Sequence, residues 1–218
     1  AWKIGRSLSP GLGNRMTRAQ TLAMAQSWDR YSIDIKSELN LNQIFPEKSK
    51  VIMEIGSGMG EATAQIAKAN PQVGYVAVEM HSPGLAALLI LINQMELENI
   101  KLIREDATYL LANFIPDNSI DGIHLLFPDP WPKNRQHKRR IVQDEFVQQV
   151  AMKLKAGGYI HIATDWQPYA DWIKVRFDQS DTFSGGVVER PSWRVLSKFE
   201  GQGLRKGHQV TDFKYIKN

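Results

Sequence analysis

Five short apolar segments, each followed by a helical pattern, limit what this chain of 218 residues can fold into. The apolar segments cover residues 51–55, 74–79, 100–104, 120–127 and 159–164, and the helical patterns cover residues 61–69, 82–97, 108–113, 141–154 and 168–178. Strands that alternate with helices in this way form a parallel sheet with helices on both faces. We therefore predict an α/β fold with a doubly wound, mostly parallel sheet in three αβα layers.

The remaining segments are expected to be appendages of a single domain over residues 1–218, since a chain of this length can bury one substantial core. Residues 1 to about 45 are predicted to form an irregular basic arm, interrupted by a short helix that Thr17 caps and that reaches Leu22. Ser82 is expected to cap the helix that begins there, with Pro83 in its first turn. Residues 187 to about 209 are predicted to form a substrate loop, with β-like pieces at 187–188 and 213–216.

Composition excludes several classes of protein and site. The chain has no cysteine, so disulfides and thiolate metal sites are excluded, and its five histidines lack metal-ligand spacing, which predicts no metal. The longest strictly apolar run, residues 85–92, is far short of the ~20 residues that cross a bilayer, and no secretory pattern is visible. We expect a cytoplasmic protein with no membrane contact. The sequence leaves open whether it is a monomer or a homodimer.

Acidic residues lie at the end of all five predicted strands: Glu54, Glu79, Asp106, Asp129 and Asp165. Ligands of open parallel sheets bind outside the carboxyl ends of the strands. Because the ends of parallel strands meet at one edge, we expect these five carboxylates to line one binding crevice.

A glycine turn joins the first predicted strand to its helix through Gly56, Gly58 and Gly60. A dinucleotide fingerprint has its last glycine where this chain has Glu61, and an anion there would repel a pyrophosphate. S-adenosylmethionine carries a sulfonium, an ammonium, a ribose diol and an adenine but no phosphate, so acids suit it as acceptors and counter-charges. Glu79 fits an acceptor for the ribose hydroxyls. A tight turn without a ligand remains the alternative.

A proline-rich loop follows the fourth predicted strand and ends it, because Pro128, Pro130 and Pro132 have no amide proton. The loop holds a carboxylate, Asp129, beside a large ring, Trp131. Five cations then follow within residues 133–140. A carboxylate, an aromatic ring and a phosphate-attracting run together suggest chemistry on a nucleic-acid base. A surface turn followed by a solvated basic segment is the alternative.

Several motifs, in the same order, resemble those of the bacterial tRNA (guanine-N7-)-methyltransferase family over roughly residue 15 to the end. They are EIGSGMG at residues 54–60, VEMHSPG at 78–84, FPDPWPK at 127–133, KRR at 138–140, ATDW at 163–166 and SKFE at 197–200. The resemblance implies the Rossmann-like fold of class I S-adenosylmethionine-dependent methyltransferases, and transfer of a methyl group to N7 of guanosine 46 in the tRNA variable loop. Two positions depart from the family: Pro132 stands where it often has histidine, and Ser197 where it often has threonine.

The resemblance also implies roles for individual residues, of which Asp129 is the candidate catalytic residue. S-adenosylmethionine is expected at Glu54, Gly56, Gly58, Gly60, Glu79, Asp106 and Asp129. Substrate contacts are expected at Lys133, Asp165, Ser197, Lys198, Phe199 and Glu200. Contacts to tRNA are expected at Arg135, Gln136, His137, Lys138, Arg139 and Arg140.

Two other functions stay open from the residues alone. One is an S-adenosylmethionine-dependent methyltransferase acting on another RNA or DNA base or on a small molecule. The other is a non-catalytic RNA-binding protein of the same fold, which would be expected to lack the acids at the strand ends. An NAD oxidoreductase is disfavoured by Glu61.

Overall fold

The computed structural model describes residues 15–196, 200–201, 207 and 209–218. In this part of the chain, seven strands form one sheet in the order β3-β2-β1-β4-β5-β7-β6. The first five strands pair in parallel, and β7 and β6 add an antiparallel edge next to β5. The order reverses beside β1, which is the topological switch point of a doubly wound sheet.

The strands and helices agree closely with the alternation in the sequence. The strands are β1 Lys50–Ile55, β2 Val73–Val78, β3 Ile100–Ile103, β4 Ile120–Leu126, β5 Leu154–Thr164, β6 Phe183–Val188 and β7 Thr211–Lys217. The helices are α1 Arg18–Tyr31, α2 Leu41–Ile44, α3 Glu61–Ala69, α4 Ser82–Met95, α5 Ala107–Phe114, α6 Asp144–Lys153 and α7 Gln167–Asp178. A 3-10 helix, Asn134–Arg139, lies between β4 and α6.

Apolar residues form a core on each face of the sheet, because neighbouring positions of a strand point to opposite sides. Met53 of β1 packs in the core under α5, α6 and α7, while Ile52 packs in the core under α1, α3 and α4. The predicted three-layer αβα arrangement is thereby confirmed.

The carboxyl ends of the parallel strands lie level with one another. Ile55 at the end of β1 is paired with Val78 of β2 and Leu125 of β4, and Val78 is paired with Ile103 of β3. Segments that follow these strands leave the sheet at the same edge, as expected for the acidic residues.

The prediction of an irregular N-terminal arm is wrong for the described residues 15–45, because they contain α1 and α2. Thr17 does cap α1, accepting from the Gln20 amide at 3.2 Å, but the helix continues to Tyr31 instead of ending at Leu22. It continues because tertiary contacts hold it: Ala23 and Tyr31 are buried in the core, and Gln20 Nε2 donates to the Pro83 carbonyl of α4 at 3.2 Å. A weak local pattern is sufficient where packing stabilises the helix.

Several boundaries also differ from the sequence prediction, among them the start of β5, which lies at Leu154 and not at residue 159. Helix α6 begins at Asp144 instead of residue 141, because the Val142 amide donates to the Tyr169 hydroxyl at 3.3 Å and its carbonyl accepts from Trp172 Nε1 at 2.6 Å. Ser82 is the first residue of α4 and not its cap, which is His81. The β-like pieces near the end belong to two full strands, β6 and β7.

Candidate active site

The glycine turn and the end of β2 are joined through Glu79. Its Oε2 accepts from the Gly58 amide at 3.0 Å, and its Oε1 accepts from the His81 amide at 2.9 Å. Gly56 donates to the Val78 carbonyl at 2.8 Å, so the turn is also fixed to the end of β2 by its backbone. In a phosphate-binding turn such amides face the phosphates. Here the Glu79 carboxylate accepts the hydrogen bond of the Gly58 amide.

The backbone of the turn requires glycine for conformation and for space. Gly56, Gly58 and Gly60 all have a positive φ, of 73°, 55° and 79°, which side chains disfavour. A Cβ on Gly60 would lie 2.6 Å from Leu88 of α4, and one on Gly84 would lie 2.3 Å from the Gly58 carbonyl oxygen. The start of α4 therefore packs tightly against the turn, whereas a Cβ on Gly56 or Gly58 would meet nothing within 4 Å.

The Glu54 side chain is buried near the carboxyl end of β1 and is not exposed on the protein surface. Glu54 is the last but one residue of β1 and is 3% exposed, on the same side as Ile52 and the α3–α4 core. Burial raises its pKa from 4.5 to about 7, against the opposing effect of the Thr63 hydroxyl. The carboxyl therefore changes charge near neutral pH unless a cation stabilises its ionised form.

Asp106 follows β3 and caps helix α5. Its Oδ1 accepts from the Tyr109 amide at 2.9 Å and from the Thr108 hydroxyl. The side chain is half-buried. One oxygen of this carboxylate therefore has a structural role in capping, a role that the sequence reading did not assign.

The loop after β4 carries Asp129 in a backbone that is strained on both sides. Phe127 has φ 54° and Trp131 has φ 43°, although neither is glycine. The Phe127 amide donates to the Ala163 carbonyl of β5 at 2.8 Å, which fixes the start of the loop. Asp129 itself is exposed, and none of the hydrogen bonds between described residues involves its carboxylate. Strain of this kind is often found at functional sites.

Two of the other predicted substrate residues are exposed near Asp129, and three lie in a part of the chain that the structure does not describe. Asp165 is exposed directly after β5, one strand along the edge from Asp129, and Lys133 is exposed at the end of the proline-rich loop. Ser197, Lys198 and Phe199 lie outside the described residues.

Glu200 is buried in a charge network, contrary to the expectation of a carboxylate free to grip a base. Both of its oxygens accept from Arg194, at 2.7 and 2.8 Å, and its side chain is 2% exposed. The same guanidinium holds both oxygens of Asp212 on β7, at 2.6 and 2.8 Å. Burial alone would raise the pKa of Asp212, but hydrogen bonds from His161 and Arg194 hold it below its ordinary value.

Sequence reasoning missed this network of buried charges. No local pattern in the sequence would have paired Arg194 with Asp212 across 18 positions. The guanidinium also lies 5.5 Å from the centre of the Phe127 ring, so the network contacts the start of the Asp129 loop.

The predicted tRNA-binding run divides into an exposed part and a buried part. Arg135, Lys138 and Arg139 are exposed on the 3-10 helix, while Gln136 and His137 are half-buried. Arg139 lies over the Trp131 ring, 5.0 Å from its centre. Arg140, for which a tRNA contact is expected, is 2% exposed, because its guanidinium packs over the rings of two aromatic residues of α7.

Comparison with known proteins identifies the family. A family model described as "Putative methyltransferase" matches residues 48–213. A tRNA (guanine-N(7)-)-methyltransferase of Nitrosospira multiformis is 45% identical over 202 residues, covering 91% of this chain and 88% of the relative. A protein of the same name from Streptomyces avermitilis is 44% identical over 205 residues, covering 91% of this chain and 71% of the relative. The chain belongs to the bacterial tRNA (guanine-N7-)-methyltransferase family. The resemblance seen in the sequence motifs is confirmed.

Solved structures agree on the fold of this family member. The 16S rRNA methyltransferase KamB superposes with a TM-score of 0.63 at 14% identity, over 85% of this chain and 97% of that chain. The sheet order and this likeness confirm the Rossmann-like methyltransferase fold.

The part of the chain that the structure describes contains neither a membrane-spanning helix nor a metal-binding cluster. No helix there is long and apolar enough to cross a membrane. Likewise, no cluster of three or more histidine, cysteine or acidic side chains in that part of the chain is arranged to hold a metal ion.

Proposed function

We propose that this protein transfers the methyl group of S-adenosylmethionine to N7 of a guanine in tRNA, with guanosine 46 of the variable loop as the expected position. Family membership supports this reaction, because relatives 44–45% identical over nine-tenths of the chain are named for it. The observation within the molecule that carries the proposal is the row of acids at the carboxyl edge of the sheet, next to an exposed basic 3-10 helix.

The residues at the switch point suit S-adenosylmethionine better than a dinucleotide. The Gly58 amide faces the carboxylate of Glu79, and Glu61 opens α3, so this turn offers negative charge where a pyrophosphate needs donors. Glu79 and Asp106, both half-buried just after β2 and β3, are the proposed acceptors for ribose and adenine groups, and the buried Glu54 of β1 is the proposed counter-charge. When bound, S-adenosylmethionine supplies an electrophilic methyl group on a sulfonium.

The chain has to supply alignment more than proton transfer. The N7 lone pair lies in the plane of the guanine ring and is unprotonated at neutral pH, so no general base is required. Asp129 and Asp165, exposed at the ends of neighbouring strands, can accept hydrogen bonds from the ring N–H and amino groups of guanine and direct N7 towards the donor. Their charge also favours the purine as it becomes positive.

Exposed cations next to this edge suit the phosphates of tRNA. Lys133, Arg135, Lys138 and Arg139 all lie within the segment that continues the Asp129 loop. Such contacts supply affinity that depends strongly on salt and carries no base specificity. Because the curated relatives are bacterial, this proposal includes a cytoplasmic site of action. It is compatible with a monomer or a homodimer.

A tRNA with one altered atom tests the proposal. A transcript with 7-deazaguanosine at position 46 lacks the proposed nucleophile and keeps the Watson–Crick edge. We expect it to bind like the normal transcript and to accept no methyl group. Methyl transfer to the deaza transcript at the normal rate would overturn the assignment of N7 at this position.

A further inference from the structure

We propose that Arg140, the last cation of the basic run, is a positioning residue for the Asp129 loop and not a contact to tRNA phosphate. This inference rests on the proposed function, because it assigns the residue that holds the proposed catalytic loop in place. It departs from the role that the sequence motif implies for Arg140.

The Arg140 side chain is fixed between α7 and the loop. Its Nε donates to the Pro130 carbonyl at 2.8 Å, one residue after Asp129. Its guanidinium carbon lies 5.0 Å from the centre of the Tyr169 ring and 4.9 Å from that of Trp172. Stacking and a directed N–H bond both depend on the planar shape of the guanidinium.

The loop needs support of this kind. Phe127 and Trp131 hold a left-handed backbone on either side of Asp129, and non-glycine residues keep such a conformation only where their surroundings impose it. Pro128, Pro130 and Pro132 have no N–H with which to anchor the loop. The Pro130 carbonyl is therefore an important point of attachment, and Arg140 occupies it.

The backbone around Arg140 is held as firmly as its side chain. Its amide donates to the His137 carbonyl at 3.0 Å, and Gln143 Nε2 donates to its carbonyl at 2.9 Å. The residue thus joins the end of the 3-10 helix, the Asp129 loop and α7. A displacement of the 3-10 helix when tRNA binds would therefore reach the Asp129 loop through this side chain.

A phosphate contact is the competing interpretation, and one observation bears on it. The Nη2 atom of Arg140 is buried without a hydrogen-bond partner among the described residues. However, the residue is only 2% exposed, which leaves almost no surface for a phosphate to approach. The neighbouring Arg139 is exposed and suits that role.

The test compares Arg140→Lys with Arg140→Ala, Arg139→Ala and Arg176→Ala. Lysine keeps the charge and cannot reproduce the stacked, planar donor. Arg176 is the matched control, because it lies on the Trp172 ring at 3.4 Å from its centre and, among the described residues, makes no hydrogen bond with Pro130. Two quantities are measured for each variant: the single-turnover methylation rate at saturating tRNA and S-adenosylmethionine, and the salt dependence of the tRNA dissociation constant.

We expect Arg140→Lys to lower the single-turnover rate by roughly 10- to 100-fold, the scale of misplacing a reacting group by about 1 Å. The salt slope should equal that of the unmodified protein, and Arg176→Ala should keep the rate. Arg139→Ala should instead weaken tRNA binding and reduce the salt slope by up to ~0.7–0.9. Millimolar guanidinium should restore part of the rate to Arg140→Ala, whereas ammonium should not.

Two results would overturn the inference while leaving the proposed function intact. One is an unchanged rate for Arg140→Lys, and the other is a reduced salt slope with a normal rate at saturating tRNA. Failure of the unmodified protein to methylate tRNA would instead contradict the proposed function. If Arg140→Ala does not fold, as judged by S-adenosylmethionine binding, Arg140→Lys decides the question, because it keeps the length and charge of the side chain.

Discussion

The Gly58 amide donates to Glu79 Oε2 at 3.0 Å, so one carboxylate joins two adjacent strand ends at the switch point of the sheet. The bond uses a donor that a nucleotide-binding turn would direct at phosphate. It also fixes the orientation of Glu79, whose other oxygen accepts from the His81 amide at 2.9 Å. Two backbone amides thus fix the orientation of this carboxylate before any ligand binds.

Replacing Glu79 should weaken the binding of S-adenosylmethionine. Hydrogen bonds to a charged group contribute about 1.5–3 kcal/mol each, so Glu79→Ala is expected to raise the dissociation constant by roughly 10- to 100-fold. The affinity for tRNA should stay unchanged. Isothermal titration measures both, with Glu98→Ala, an exposed acid at the opposite end of β3, as the control. An unchanged affinity for S-adenosylmethionine would mean that Glu79 does not form the ribose site.

The buried Glu54 should make the stability of the ligand-free protein depend on pH. Its folded pKa of about 7 lies above its value of 4.5 in the unfolded chain, so the folded state binds more protons between these two pH values. Stability should therefore fall as pH rises from 4.5 to 7, by about 3 kcal/mol from this group, and level off above pH 7.

Glu54→Gln keeps the shape without the charge and should abolish this fall. Thermal unfolding of both proteins across this pH range gives the comparison. Saturating S-adenosylmethionine should flatten the curve of the unmodified protein, because a bound cation stabilises the carboxylate. Identical pH profiles for the two ligand-free proteins would contradict the assignment to Glu54.

Asp129 should matter more for turnover than for binding. Asp129→Asn keeps the size of the side chain and removes its charge, and the loss of one preorganised electrostatic group lowers turnover by about 10²-fold or more. Single-turnover kinetics at saturating substrates provide the measurement. A rate within about threefold of the unmodified protein would remove Asp129 from the mechanism.

Removing Arg194 should destabilise the fold, since Glu200 and Asp212 would stay buried without the guanidinium that pairs with both of them. Breaking a buried pair in this way costs about 3–5 kcal/mol, which chemical denaturation of Arg194→Met measures. Loss of less than about 1 kcal/mol would mean that the network is more hydrated than its exposure indicates.

Local patterns predicted the features that depend on near neighbours in the chain. The glycine turn, Glu79 and Asp129 could all be located from the strand–helix alternation, because the ends of parallel strands necessarily meet at one edge. The length of α1 could not, since it depends on packing against α4.

Burial of charged residues was the main feature that the sequence did not reveal. Arg139 and Arg140 are adjacent and chemically identical, yet one lies on the surface and the other packs between Tyr169 and Trp172 of a later helix. Arg194 likewise pairs with Asp212 on β7, a strand that lies between β5 and β6 in the sheet. Such roles depend on long-range contacts, which a single sequence does not display.

The most direct test of the proposed reaction is transfer of a tritiated methyl group from S-adenosylmethionine to bulk tRNA, followed by nucleoside analysis. We predict that the label elutes as 7-methylguanosine, and that Asp129→Asn reduces it by about 10²-fold. Label in any other nucleoside, or no label in tRNA from a preparation that binds S-adenosylmethionine, would contradict the account.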